Sequence, residues 1–206
     1  MFEYYTIAVI AILAAISPGP DFFIVVKNAL AHHRKSAILT SLGVSAGTLV
    51  HSTYCILGLA IIISKSILLF NVIKYLGASY LIYLGVKSLL DKGAHANPMN
   101  KQFAYTPISN KRSFADGFLT NVLNPKCTLF MLSVFTLVVK PNTPIFEQSI
   151  FALEIAGIAL LWFVFLSYAL THKAIKQKIA NVQHIVSRVI GVVLLALGIS
   201  ILVKSH

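Results

Sequence analysis

The sequence predicts an all-α integral membrane protein of six transmembrane helices, built as a 3+3 inverted repeat in which helices one and four are broken. Three observations carry that expectation. Composition is the first: of 206 residues, 57% are hydrophobic and 11% charged, with mean hydropathy +0.83, whereas soluble domains average about 45–50% apolar and about 25% charged. The second is the spacing of apolar runs at about 4–26, 37–63, 72–90, 114–138, 146–170 and 184–203, each close to the roughly 20 residues that a bilayer span needs. The third is the odd number of runs on either side of one long polar connection, which forces the second half to enter the membrane in the opposite sense.

The first run contains Ser17-Pro18-Gly19-Pro20-Asp21. Each proline removes a backbone donor and crowds the turn before it, so the helix must break there. A break carrying a carboxylate inside a span is tolerated only where it lines a cavity or is buried in protein. Ser17, Pro18, Gly19, Pro20 and Asp21 are therefore expected to form half of a binding site. Met1 to Glu3 carries an acid and no basic residue, unlike a secretory signal, so this run is expected to remain as a helix.

The second run places Gly43, Gly47, His51 and Tyr54 on a stripe that is small or polar at helical spacing and must face protein or water. His51 there is either an interhelical hydrogen-bonding group or a proton relay. The third run carries Gly77 and Gly85, and the sixth carries Gly191 and Gly198, each set following a basic residue. Small residues so placed let helices approach closely in lipid, and the same faces would permit a homodimer. Residues 1–90 thus read as the first three-helix repeat and 114–206 as the second. Between them, 91–113 contains Pro98, Pro107 and several Asn, Lys and Ser residues, and reads as a cytoplasmic linker.

The fourth run repeats the device of the first. Asn121, Asn124, Pro125 and Lys126 lie inside it, and superposing Pro125 on Pro20 puts Lys126 opposite Asp21. One half supplies an acid and the other a base, each beside a proline break, which is the sequence pointer to a transporter site at a repeat interface. An isolated charge at the bilayer centre costs about 2.5–3.5 kcal/mol on insertion scales, so both need partners. They either pair with each other or receive the two ends of a zwitterion, Asp21 its ammonium and Lys126 its carboxylate. The fifth run adds Glu154; with Asp21 and His51 it completes the proton-coupling candidates.

The net charge of +11 would suit nucleic acid, but Lys and Arg cluster at the ends of runs without an aromatic-basic platform, and no nucleic-acid partner is expected. With the N-terminus outside, twelve of the 17 basic residues fall on inner connections, among them Arg34, Lys35, Lys111 and Arg112, and four fall outside. That bias places both termini outside, on the periplasmic side. Cys55 and Cys127 are too few for a metal knuckle or a disulfide framework.

The proline motifs, with Leu42-Gly43-Val44-Ser45-Ala46-Gly47, Val50-His51, Gly77-Ala78-Ser79-Tyr80-Leu81 and Gly117-Phe118, resemble the LysE/RhtB family of amino-acid exporters. The resemblance implies a six-helix carrier of the bacterial inner membrane that exports small amino acids or their derivatives in exchange for protons, with no cofactor and no enzymatic activity. Two other classes are weighed against it. A metal-cation exporter would draw on Asp21, His51, Cys55, Cys127 and Glu154, with Lys126 opposing the cation. A membrane thiol-disulfide conductor needs two thiols that can meet, and Cys55 does not sit at the break equivalent to that beside Cys127. No HExxH pattern or nucleophile elbow points to an enzyme.

Overall fold

The computed structural model describes residues 2–32, 34–90, 107–140, 142–170 and 173–203. Among them every regular element is a helix: α1 (Phe2–Ile16), α2 (Pro20–Ala31), α3 (Arg34–Lys65), α4 (Ile67–Leu90), α5 (Asn110–Val122), α6 (Pro125–Val138), α7 (Ile145–Ala169) and α8 (Lys173–Val203). The first and fourth apolar runs are each a pair of helices, bent by 54° between α1 and α2 and by 60° between α5 and α6. The bends fall at the prolines, as the loss of a backbone donor requires.

Local chemistry sets the ends. α1 stops at Ile16 because Ser17 precedes a proline and is pushed out of the helical region; its N–H makes the last bond, 3.0 Å to the Leu13 carbonyl. α2 restarts with Pro20 in its first turn, where the missing N–H costs nothing. Ser109 caps α5 by accepting from the Arg112 N–H at 3.2 Å, so residues 110–113, expected as linker, already belong to the helix; the linker's 91–106 lie outside the described residues.

Two helices exceed their apolar runs. α4 begins at Ile67, one residue after α3, with the Ser66 hydroxyl accepting from the Leu69 N–H at 3.2 Å. α8 begins at Lys173 rather than near 184, because the polar stretch before the apolar run contains neither glycine nor proline to stop it.

α7 is long and apolar enough to cross a membrane, and each bent pair passes the same criterion when its halves are taken together. Leu68, Leu76, Phe146, Leu161 and Phe165 stand exposed on the outer surface, the expected outward face when lipid replaces water. This is a multi-pass membrane protein. α3 carries many hydroxyls, yet Ser41, Thr48 and Ser52 each donate to the carbonyl four residues back, which satisfies them within the helix. Ser45 instead donates across to the Ala156 carbonyl of α7 at 2.8 Å.

α3 is the central strut, packed on α5 and α7, while α4 packs along α8. Glycine makes the first of these seams possible. A Cβ on Gly117 would lie 2.0 Å from the Thr40 carbonyl oxygen, and one on Gly43 would lie 2.1 Å from that of Phe114. Gly85 and Gly191 likewise meet each other's carbonyls, and Gly198 meets Ile82 and Ala78. Three of the four glycines expected to allow close approach, Gly85, Gly191 and Gly198, are therefore spent on the α4–α8 seam inside the chain, while Gly77 packs against Ser133 of α6. Two apolar clusters result. A large one joins Ile7, Ile10, Leu81, Phe135, Phe151 and Ile190, and a smaller one joins Phe22, Val26, Phe163 and Leu166.

Candidate functional site

Both breaks open onto one cavity of about 70 Å³. Its polar wall is Ser17, Gly19, Pro20 and Asp21 from the first break and Asn121, Asn124 and Lys126 from the second. The apolar wall includes Phe22, Phe130, Met131, Phe163 and Leu194.

The residues of each break are completed by the other. Asn121 Nδ2 donates to Asp21 Oδ2 at 3.0 Å, and Asn124 Nδ2 donates to the same oxygen at 3.4 Å. In return, Lys126 Nζ donates to Ser17 Oγ at 3.0 Å and to the Pro18 carbonyl at 3.2 Å. Gly19 leaves room for that reach, since a Cβ there would stand 3.2 Å from Lys126 Nζ. Asp21 and Lys126 make no direct ion pair with each other, and Asp21 Oδ1 is buried without a hydrogen-bond partner. A buried carboxylate oxygen with no donor is costly.

Backbone chemistry separates the two breaks. Asn124 caps α6, its Oδ1 accepting from the Lys126 N–H at 3.0 Å, the usual way of meeting an orphan donor at a helix start. Gly19 has extended backbone and gives α2 no side-chain cap. Pro125 stands in the first turn of α6 and is exposed, serving to make the break rather than to line the cavity.

His51 lies beside this site, not in it. It is 1% exposed, and its Nε2 stands 2.9 Å from the main-chain oxygen of Asn121. A carbonyl only accepts, so Nε2 carries the hydrogen and Nδ1 accepts from the Tyr54 hydroxyl. Glu154 sits on α7 outside the cavity wall, half-buried, with Oε2 unpartnered.

The apolar wall escapes a reading confined to charges and prolines, and so do three residues beside the polar groups. Phe22 and Cys127 follow Asp21 and Lys126 directly, and Cys127 Sγ lies 3.4 Å from Asn121 Nδ2. Thr48 reaches the wall from α3. Adjacency to the breaks was the available signal for the first two; Thr48 carries no signal beyond its place one residue after Gly47.

The cavity lies between two interrupted helices and is lined by one acid and one base, the layout of a transporter site. The sequence matches the LysE type translocator family over residues 12–205, and the chain belongs to that family. It is 37% identical over 196 residues to the uncharacterized membrane protein YrhP of Bacillus subtilis, covering 92% of this chain and 93% of that one. It is 36% identical over 167 residues to the threonine efflux protein of Escherichia coli K12, covering 78% of each, and 29% identical over 185 residues to YahN of the same organism, covering 89% and 81%. No solved structure matches the chain.

Proposed function

We propose that the chain is a six-span secondary transporter that exports small amino acids or their derivatives across the bacterial plasma membrane, in exchange for protons, with both termini outside. Asp21 receives the substrate ammonium and Lys126 its carboxylate. One observation carries this reading: two opposite charges face a common cavity, each held by neutral groups of the other break rather than by its counterpart. A zwitterion would add an ammonium to the unpartnered Asp21 Oδ1 and could draw Lys126 Nζ from the Ser17 hydroxyl and Pro18 carbonyl.

The cavity's size supports a small substrate. About 70 Å³ corresponds to roughly five water molecules on the same measure, so a ligand of a handful of non-hydrogen atoms fits. The relative named as a threonine efflux protein makes L-threonine the first substrate to assay. An inverted repeat is supported by the packing. α3 packs on α7 and α4 on α8, and the α3–α5 contact has its counterpart in α7–α1. Asp21 is the group to bind the exchanged proton, since it alone of Asp21, His51 and Glu154 lines the cavity. The inner connections hold most of the basic residues, which supports the orientation.

The test is L-threonine flux in proteoliposomes, with metabolite profiling of culture medium to find other substrates. Asp21→Asn and Lys126→Met are each expected to lower flux about a hundredfold at unchanged protein level, the weight of one lost charged hydrogen bond. Flux at the parent rate in both variants would overturn the site. Asp21→Asn is further expected to abolish the response to an imposed pH gradient.

A further inference from the structure

We propose that His51 and Gly47 of α3 are positioning residues: they hold Asn121 so that its amide turns the Asp21 carboxylate toward the cavity. The inference rests on the reading of Asp21 as a substrate contact. It concerns two residues that do not line the cavity themselves.

Asn121 stands four residues before Pro125. In an uninterrupted helix its carbonyl would accept from the N–H at position 125, but proline has none. The Asn124 N–H reaches that oxygen at 2.9 Å from within the turn, and His51 supplies a second donor from another helix, Nε2–H at 2.9 Å. One turn earlier on α3, Gly47 fixes the side chain. A Cβ at Gly47 would lie 2.6 Å from Asn121 Oδ1 and 2.9 Å from its Cβ, so any larger residue would displace the amide. The imidazole thus holds the main chain of Asn121 while the glycine admits its side chain. Its Nδ2 is then left to face Asp21 Oδ2 at 3.0 Å and Cys127 Sγ at 3.4 Å.

That arrangement occupies one oxygen of Asp21 and leaves Oδ1 for a ligand. It also gives His51 a task that needs an Nε2–H and no change of protonation. Glutamine can place its amide N–H near the position of imidazole Nε2 and cannot titrate; leucine fills similar space and donates nothing.

The experiment uses the full chain with Cys55→Ser, which leaves Cys127 as its one thiol, in membranes and proteoliposomes. Two quantities are read: the rate at which N-ethylmaleimide labels Cys127, and the KM and maximal rate of L-threonine flux. His51→Leu is expected to raise the labelling rate and raise KM about tenfold, with a smaller change in maximal rate, as loss of one buried hydrogen bond implies. His51→Gln is expected to keep both readings within about threefold of the parent and to retain its response to a pH gradient. Gly47→Ala should reproduce the His51→Leu pattern through the side chain.

His51→Gln behaving like His51→Leu in flux, with Cys127 labelling at the parent rate in both, would overturn the proposal and make His51 an ionisable coupling group. Parent-like labelling and KM in His51→Leu would overturn it too. If the parent carries no L-threonine, the labelling arm still decides: faster labelling in His51→Leu and parent-like labelling in His51→Gln would uphold the positioning role while the substrate reading fails.

Discussion

The two breaks look alike in sequence and are finished differently. At α5–α6 the break closes most of its ends itself: Asn124 caps the new helix, and the Asn121 carbonyl left without its helical donor by Pro125 is met by the Asn124 N–H, with His51 of α3 as a second donor. At α1–α2 there is no side-chain cap. The Pro18 carbonyl and the Ser17 hydroxyl are met instead by Lys126 from the other break, and Asp21 retains an oxygen with no donor. Hydrogen bonds that a segment supplies to itself persist when a distant partner moves, whereas borrowed ones do not. The second break is therefore the frame of the site, and the first is the part poised to exchange partners with a ligand.

The largest way to break that comparison is to remove the frame's support. Gly117→Ala puts a Cβ 2.0 Å from a backbone oxygen of Thr40, which no rotamer change can relieve. The expected cost is about 3 kcal/mol or more, seen as lost monodisperse protein in detergent. Gly157→Ala is the control: nothing lies within 4 Å of a Cβ there, and alanine in a helix interior should leave stability equal or raise it by about 0.5 kcal/mol. Equal thermal unfolding for the two variants would mean that close approach of α3 and α5 does not hold the second break.

Much of this division was legible beforehand. Prolines at 18, 20 and 125 can only interrupt a helix, so both breaks and the residues beside them followed from backbone chemistry. Which partner each charge takes did not follow, because Asp21 and Asn121 are 100 residues apart and their meeting depends on how α3 places α5. A direct Asp21–Lys126 ion pair was one open reading; the amides and the Pro18 carbonyl intervene instead. The role of Gly47 was visible only as a small residue that must face something. A proline four residues after Asn121 announces a carbonyl in need of a donor, but nothing in the sequence says that His51, 70 positions away, supplies it. The early start of α8 at Lys173 leaves no mark in hydropathy, because an apolar run marks the membrane, not the helix.

A smaller effect sharpens the contrast between the prolines themselves. Pro125→Ala restores an N–H able to bond the Asn121 carbonyl, in competition with His51, and should straighten α5 into α6. Pro20→Ala restores one too, but Pro18 still interrupts the helix and Gly19 is extended. We expect Pro125→Ala to raise KM for flux about tenfold and Pro20→Ala about threefold or less, one hydrogen bond's weight against a fraction of it. A larger loss from Pro20→Ala would reverse the assignment of frame and exchanging part.

The smallest effect separates capping from binding at one residue. Asn124 does two things: it accepts from the Lys126 N–H at 3.0 Å and donates to Asp21 at the longer distance of 3.4 Å. Capping accepts and ligand positioning donates, so Asn124→Asp keeps the first and loses the second, while Asn124→Ala loses both. Loss of an N-cap costs about 1 kcal/mol, which should appear in the thermal unfolding of Asn124→Ala. Asn121 already holds Asp21 Oδ2 at 3.0 Å, so the alanine variant should shift KM by no more than about threefold. The aspartate variant keeps the cap but sets a second buried carboxylate beside Asp21, so it should lower both flux and stability by more than the alanine variant does. An aspartate variant that transported and unfolded like the alanine variant would mean that position 124 acts on the start of α6 alone and not on Asp21.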